Sequence, residues 1–300
     1  MNLPDLPKIS IGTRGFGNEY GKMTYGDCKQ IIDKALLNRI NYIDTSPMYG
    51  EGLSEEIVGK CLYGVSRERY IISTSAGRCK KNNYSYTYYN IANSVMNSLK
   101  KLRSGYIDIV FVNDIEYSDN LDIIINESIP ALIYLRNQGY IKYIGLSSMF
   151  LEKIDYIVSR CSYINYIQTY CNYTLINDTL TQYAPNWNSK GIKIIHGGVT
   201  CMGLLTPQGP PDTTPAPATI KDICKKMNKF CDENKINIVE KSFYFTLGYN
   251  RISTILLGVT STKELDDYFN WLDRQYCNNK IYINTLIEMA DPVKNHSWFF

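Results

Sequence analysis

Histidine is scarce in this chain, with two in 300 residues, and several recognisable patterns are missing altogether. The nine cysteines are scattered and form no C-x-x-C pair, so neither a zinc site nor a disulfide framework is indicated. No apolar run is long enough to span a bilayer, and the stretch from Met1 to Ile11 is broken by Pro4, Asp5, Pro7 and Lys8. Neither sign of charge dominates. The 32 basic and 29 acidic side chains are interleaved and leave +3, which gives no reason to expect a nucleic-acid partner. No G-x-G-x-x-G opens a helix after a strand, which weakens a Rossmann reading. These absences leave a reduced, cytoplasmic globular protein with no metal, membrane or nucleic-acid partner expected.

What is present is an ordinary core composition, 44% hydrophobic and 20% charged. The length suits one large domain over residues 1–300. The 26 tyrosines follow a general enrichment in Ile, Asn, Tyr and Lys and carry no binding code. Short apolar runs alternate with helix-period segments. The expected strands are Lys8 to Gly15, Tyr42 to Asp44, Tyr70 to Thr74, Ile107 to Val112, Tyr143 to Leu146, Tyr163 to Thr169, Ile192 to Ile195 and Thr254 to Leu257. The helices between them include Asp27 to Leu37, Ser54 to Leu62 with Ser54 as N-cap, Leu121 to Asn137 despite Pro130, and Leu175 to Trp187. Strands that are continuously apolar are buried on both faces, as parallel strands under helices are. The repeated β–α alternation predicts a (β/α)8 TIM barrel rather than an open doubly wound sheet.

On such a barrel, chemistry sits where strands end at their carboxyl side. The stretch Ile40 to Gly50 brings a short apolar run to Asp44, turns at Pro47 and Gly50, and places Tyr49 on the turn. That is half of an acid/base site. The other strand ends carry Ser75, Asn113, Ser147, Gln168, His196 and Gly258.

Asp44-Thr45-Ser46-Pro47-Met48-Tyr49-Gly50, with Leu53-Ser54-Glu55 and Gly59, resembles the aldo-keto reductase signature. Gly203-Leu204-Leu205-Thr206-Pro207-Gln208-Gly209-Pro210-Pro211, Asp114-Ile115-Glu116 and Pro292-Val293-Lys294-Asn295 resemble its L-galactose dehydrogenase-like branch. The resemblance implies a barrel binding NAD or NADP. In it a tyrosine protonates a carbonyl oxygen, a lysine paired with an aspartate lowers that tyrosine's pKa, and a histidine orients the carbonyl. Tyr49 and Asp44 match; Ser75 stands at the lysine position and Asn113 at the histidine position. An unassisted tyrosine near pKa 10 is a poor acid at pH 7. Loss of one such preorganised group costs roughly 10²–10³ in rate. Lys80 and Lys81, just downstream, read as solvated loop charges rather than replacements.

For the cofactor, the resemblance places Gln168 and Ser147 at the nicotinamide end, and Gly258 and Ser261 offer a backbone and a hydroxyl to the phosphates. His196-Gly197-Gly198-Val199-Thr200 lacks the usual stacking ring and proline, and Glu264, Asp266 and Asp267 disfavour a 2′-phosphate. The expectation is therefore a degenerate active site, a pseudoenzyme that binds a small molecule in the barrel mouth or an unidentified protein partner. The alternative is an NAD(P)-dependent oxidoreductase on an aldose or aldehyde. A third reading, a lyase or isomerase, needs His196 in the pocket. Asp114 and Glu116 are expected to be solvated or capping groups, His296 surface packing, and the Pro-rich loop Pro207 to Pro217 a lid.

Overall fold

The computed structural model describes residues 3–80, 83–212, 214–274 and 280–298. Its strands are β1 (Ile9–Gly12), β2 (Tyr42–Asp44), β3 (Ile71–Ala76), β4 (Arg78–Lys80), β5 (Asn83–Tyr84), β6 (Ile107–Asn113), β7 (Ile141–Ser147), β8 (Tyr166–Tyr170), β9 (Lys193–Gly197) and β10 (Thr254–Gly258). Eight of them are parallel and close in the order β1-β10-β9-β8-β7-β6-β3-β2, while β4 and β5 form a small antiparallel hairpin. The expected (β/α)8 barrel is the observed fold.

Helices α1 (Tyr25–Leu37), α2 (Leu53–Cys61), α3 (Tyr88–Leu102), α4 (Ile129–Asn137), α5 (Leu151–Val158), α6 (Ala184–Ser189), α7 (Ala218–Glu233), α8 (Ile238–Leu247), α9 (Thr262–Asp273) and α10 (Lys280–Ala290) accompany the barrel. Local signals explain many of their ends. Thr24 and Asp27 close a reciprocal capping box on α1, and Asn237 accepts from the Val239 and Glu240 amides at the start of α8. None of the described helices is long and apolar enough to cross a membrane.

Strand side chains alternate between two apolar regions, as a two-residue period requires. Ile43, Val110, Val112, Ile144, Leu146, Ile167, Ile194 and Leu257 point out into the layer shared with the helices. Tyr42, Ile109, Phe111, Tyr166, Ile195 and Leu256 fill the barrel's interior, with Leu3 and Leu6 packed against them. Phe111 and Tyr170 fit because glycines face them. A β-carbon on Gly145 would meet the Phe111 ring at 2.4 Å, and one on Gly197 would meet the Tyr170 ring at 2.7 Å. At the opposite end from the strand C-termini, Asp108 accepts from Arg67 Nη2 at 2.5 Å and from the Ile72 amide at 2.9 Å, with Lys142 at 3.2 Å. One carboxylate thus ties β3, β6 and β7 together.

Four expectations need correction. The Ser54 N-cap is replaced by Gly52, with α2 starting at Leu53, and the Ser54 hydroxyl instead donates to the Thr13 carbonyl at 2.8 Å. The segment from Leu121 to Asn137 is broken: a π-turn over Ile124–Ser128 precedes α4, and Pro130 falls in the first turn of α4, where a missing N–H costs little. Leu175 to Trp187 is α-helical only at its end, after a 3₁₀ turn over Thr179–Gln182. Asn177 Oδ1 accepts from both the amide (2.9 Å) and hydroxyl (2.7 Å) of Thr179, a side-chain turn that competes with helix. The sixth barrel strand begins at Tyr166 rather than Tyr163 and runs to Tyr170. The Pro-rich loop folds back on its own start, with Pro210 and Gly209 packed against Gly203.

Candidate active site

The inward alternation brings Asp44, Ser75, Asn113, Ser147, Gln168 and Gly258 to the carboxyl end of the barrel. Register supports this directly, since Asn113 pairs with Ser147, Ser147 with Gln168, Gly12 with Asp44 and Gly12 with Gly258. Tyr49 joins them from the turn after β2. Its amide donates to the Ser46 carbonyl at 3.1 Å, and Gly50 and Glu51 follow in left-handed conformation.

Asp44 is buried and makes no ion pair among the described residues. Its Oδ1 accepts from Ser73 Oγ at 2.5 Å, and Ser73 Oγ lies 2.9 Å from the buried Tyr42 hydroxyl. Burial pushes the Asp44 carboxyl up to about 7, partly offset by Ser73 and then by the nearby Gln168 amide. That amide is close without forming a hydrogen bond, for Gln168 Nε2 is buried with no partner. Ser75, at the lysine position, is buried and sits 2.6 Å from Ser46 Oγ. Two separate sets of hydroxyl contacts therefore line the side of the mouth where a carboxylate–lysine pair would stand.

Tyr49 has no hydrogen bond to Asp44 among the described residues. Burial first, and Asp44 second, hold its phenol well above the ordinary tyrosine value. Asn113 ends β6 half-buried, its carbonyl accepting from the Tyr86 hydroxyl at 3.3 Å. Tyr170 lines the mouth from β8, its phenol raised by burial and then by Tyr49 and Asp44.

The cofactor positions divide in two. Ser147 Oγ and Gln168 Nε2 are buried, adjacent in register and without a well-formed hydrogen bond among the described residues, the Tyr170 phenol lying near Ser147 as Asp44 lies near Gln168, which suits a carboxamide that offers both a donor and an acceptor. The phosphate end is less open. The Tyr20 ring comes within 3.5 Å of where a Gly258 β-carbon would be, and Ser261 Oγ caps α9 by accepting from the Glu264 amide at 3.2 Å. The Glu264 carboxylate accepts from the Thr260 amide at 2.7 Å, a donor otherwise free to meet a phosphate.

His196 does not face the mouth. Ile195 points inward, so His196 points outward beside Thr169, its register partner. Its Nε2 accepts from the Tyr173 amide at 3.0 Å, and burial depresses its pKa to about 3, so the ring is neutral. The lyase or isomerase reading loses its imidazole on this geometry. His296 is exposed, as expected. Lys80 runs in the β4–β5 hairpin, and Lys81 lies outside the described residues.

Asp114 and Glu116 are not the solvated or capping groups expected. Asp114, left-handed at φ 54°, pairs with Arg78 Nη1 at 2.5 Å, and Arg78 lies near the stacked rings of Tyr84 and Tyr117. Glu116 accepts from Ser148 Oγ at 2.6 Å, and burial followed by Asp114 pushes it up to about 7. Ser73, Arg14 and Arg78 were the residues near the mouth that the sequence did not single out. Only Ser73 had a legible signal, lying two residues before Ser75 on the same strand face.

The comparisons with known proteins agree with the fold. The model for the aldo/keto reductase family matches residues 8–282. L-galactose dehydrogenase of Arabidopsis thaliana is 30% identical over 296 residues, covering 97% of this chain and 92% of that protein. D-arabinose 1-dehydrogenase of Saccharomyces cerevisiae is 27% identical, covering 79% and 74% respectively. Among solved structures, an aldo-keto reductase from Bacillus halodurans in its holo form superposes with a TM-score of 0.78 at 22% identity, over 94% of this chain and 92% of that one. With the signature residues in place around the mouth and the match spanning most of its length, the chain belongs to the aldo/keto reductase family.

Proposed function

We propose that the protein is an aldo-keto-reductase barrel whose proton relay has been reduced to Tyr49, so that its mouth works chiefly as a ligand-binding site. Hydride transfer, where it occurs, runs far below the family's rate. The observation that carries this reading is the set of hydroxyl contacts: Asp44 accepts from Ser73, whose hydroxyl also meets that of Tyr42, Ser75 pairs with Ser46, and Asp44 makes no ion pair among the described residues. A phenol held above its ordinary value is poorly matched to proton donation at neutral pH.

A nicotinamide dinucleotide, as the family uses, supplies or accepts hydride when bound. Ser147 and Gln168 are the residues that would hold its carboxamide, and Gly258 and Ser261 stand at the phosphate end. Tyr49 is placed to hydrogen-bond a carbonyl oxygen, while Phe111 and Tyr170 narrow the space and exclude water. A second reading, a working dehydrogenase on an aldose, is favoured by the buried Ser147 and Gln168 atoms that lack a well-formed hydrogen bond among the described residues and by the sugar-dehydrogenase relatives.

Titration with NADH and NADPH, followed by calorimetry, separates the readings when paired with turnover on an aldose panel. Binding with turnover at least ~100-fold below a family reductase supports the proposal. Rapid turnover establishes the dehydrogenase. Where binding is found with slow turnover, the double variant Ser75→Lys with Asn113→His should raise the rate by about 10² or more.

A further inference from the structure

Arg14 lies closer to the mouth than its place in the sequence implies. It opens a 3₁₀ turn, Arg14–Gly17, directly after β1. The residue before it, Thr13, donates to the Asp44 carbonyl from its amide at 3.0 Å and from its hydroxyl at 2.9 Å. At the other end of the turn, Gly17 packs on the Tyr49–Gly50 peptide so tightly that a β-carbon would meet the Tyr49 carbonyl carbon at 2.6 Å. The turn is thus pinned at both ends to the segment that carries Asp44 and Tyr49, and Arg14 lies between the pins. Its guanidinium is half exposed, bridged to Glu19 from Nε (3.3 Å) and Nη2 (3.2 Å), and 5.9 Å from the Tyr20 ring.

We propose that Arg14 is a positioning residue for Tyr49, supplying from the β1 loop the positive charge that Ser75 does not supply from β3. The titratable groups whose charges reach Tyr49 are Asp44 from β2, Arg14 and Tyr20 from the loop after β1, Asp114 from the loop after β6 and Tyr170 from β8. Asp44 and Asp114 disfavour a phenolate, Tyr20 and Tyr170 do so once ionised, and Arg14 opposes them. A guanidinium suits this role because it stays charged at every working pH and keeps donors free beyond its pair with Glu19. Arg78, the other arginine at the mouth, is committed to Asp114.

The inference rests on Tyr49 standing at the mouth as the surviving proton donor, but its test needs no turnover. A ring-fluorinated tyrosine placed at position 49, more acidic than tyrosine and distinct by ¹⁹F resonance, reports the phenol's pKa in the full chain. Arg14→Gln should raise that pKa by about one unit, and Arg14→Lys should restore most of the difference. Glu19→Gln, which frees the guanidinium from its partner, should lower it. In a Ser75→Lys background the effect of Arg14→Gln should shrink, because a second cation then shares the work. A merely structural arginine would change thermal stability without moving the resonance's titration. If neither Arg14→Gln nor Glu19→Gln shifts the phenol in folded protein, the proposal is overturned. Absence of hydride transfer in any variant bears on the functional reading alone.

Discussion

Asp44 is the residue on which the mouth's electrostatics turn. In place of a cationic partner it has a serine hydroxyl, and burial raises its carboxyl to about 7. Its value in the unfolded chain is about 3.9. Between those two values the folded state holds a proton that the unfolded state has released. The stabilising contribution is therefore complete below pH ~4 and is lost as pH rises through about 7. Asp44→Asn removes this dependence. Wild-type stability should fall relative to that variant by up to about 1.4 kcal/mol per pH unit across the window. Urea denaturation of both proteins from pH 4 to 8 checks it, and parallel curves would show that Asp44 is ionised throughout. Glu116, also near 7, titrates in both proteins and cancels in the comparison.

At the scale of elements, the mouth is held by turns rather than by strands. Gly17 against the Tyr49–Gly50 peptide is the tightest of these contacts, with a hypothetical β-carbon 2.6 Å from backbone atoms that cannot swing away. Gly17→Ala should cost about 1–3 kcal/mol and displace Tyr49. A change in thermal midpoint together with a shifted ¹⁹F signal at position 49 would show both effects. The β4–β5 hairpin is clamped differently, by Arg78 to Asp114 across the stacked tyrosines. Asp114→Asn, which leaves the largely buried Arg78 without its counter-charge, should speed amide exchange at 83–86 and cost about 1–3 kcal/mol of global stability. Exchange unchanged there would mean that the rings alone hold the hairpin. These contacts also mark the limit of what the sequence disclosed. Continuous apolar runs revealed the barrel strands, and strand-end position revealed Asp44, Ser75, Asn113, Ser147 and Gln168. The face of His196 was not legible, because a one-residue choice of register in β9 decides whether it points into the mouth or behind it. Arg14 was hidden for another reason. Its nearness to Tyr49 depends on a turn folding across two loops, which no local periodicity records.

Across the whole molecule, the two ends of the barrel divide the labour. The mouth carries small and polar inward residues and raised carboxyls. The opposite end carries a closed interior of Tyr42, Ile109, Tyr166 and Ile195, capped by Leu3 and Leu6 and stapled by Asp108. In barrels of this kind stability resides at that end, so substitutions at the two ends should separate in their effects. Asp108 accepts from Arg67 and from the Ile72 amide while Lys142 lies at 3.2 Å, so Asp108→Ala strands two cations and one buried N–H at once. Breaking a largely buried pair from one side costs about 3–5 kcal/mol, and that loss should appear as a lower urea midpoint with an unchanged denaturant slope. Asn113→His, at the half-buried end of β6, removes no side-chain hydrogen bond seen among the described residues and should cost less than about 1.5 kcal/mol. Ligand affinity should show the reverse order, altered by Asn113→His and untouched by Asp108→Ala in the fraction that remains folded. If Asp108→Ala weakens nicotinamide binding as much as it weakens the fold, the two ends are coupled. Changes at the mouth would then have been constrained by the barrel's stability rather than free of it.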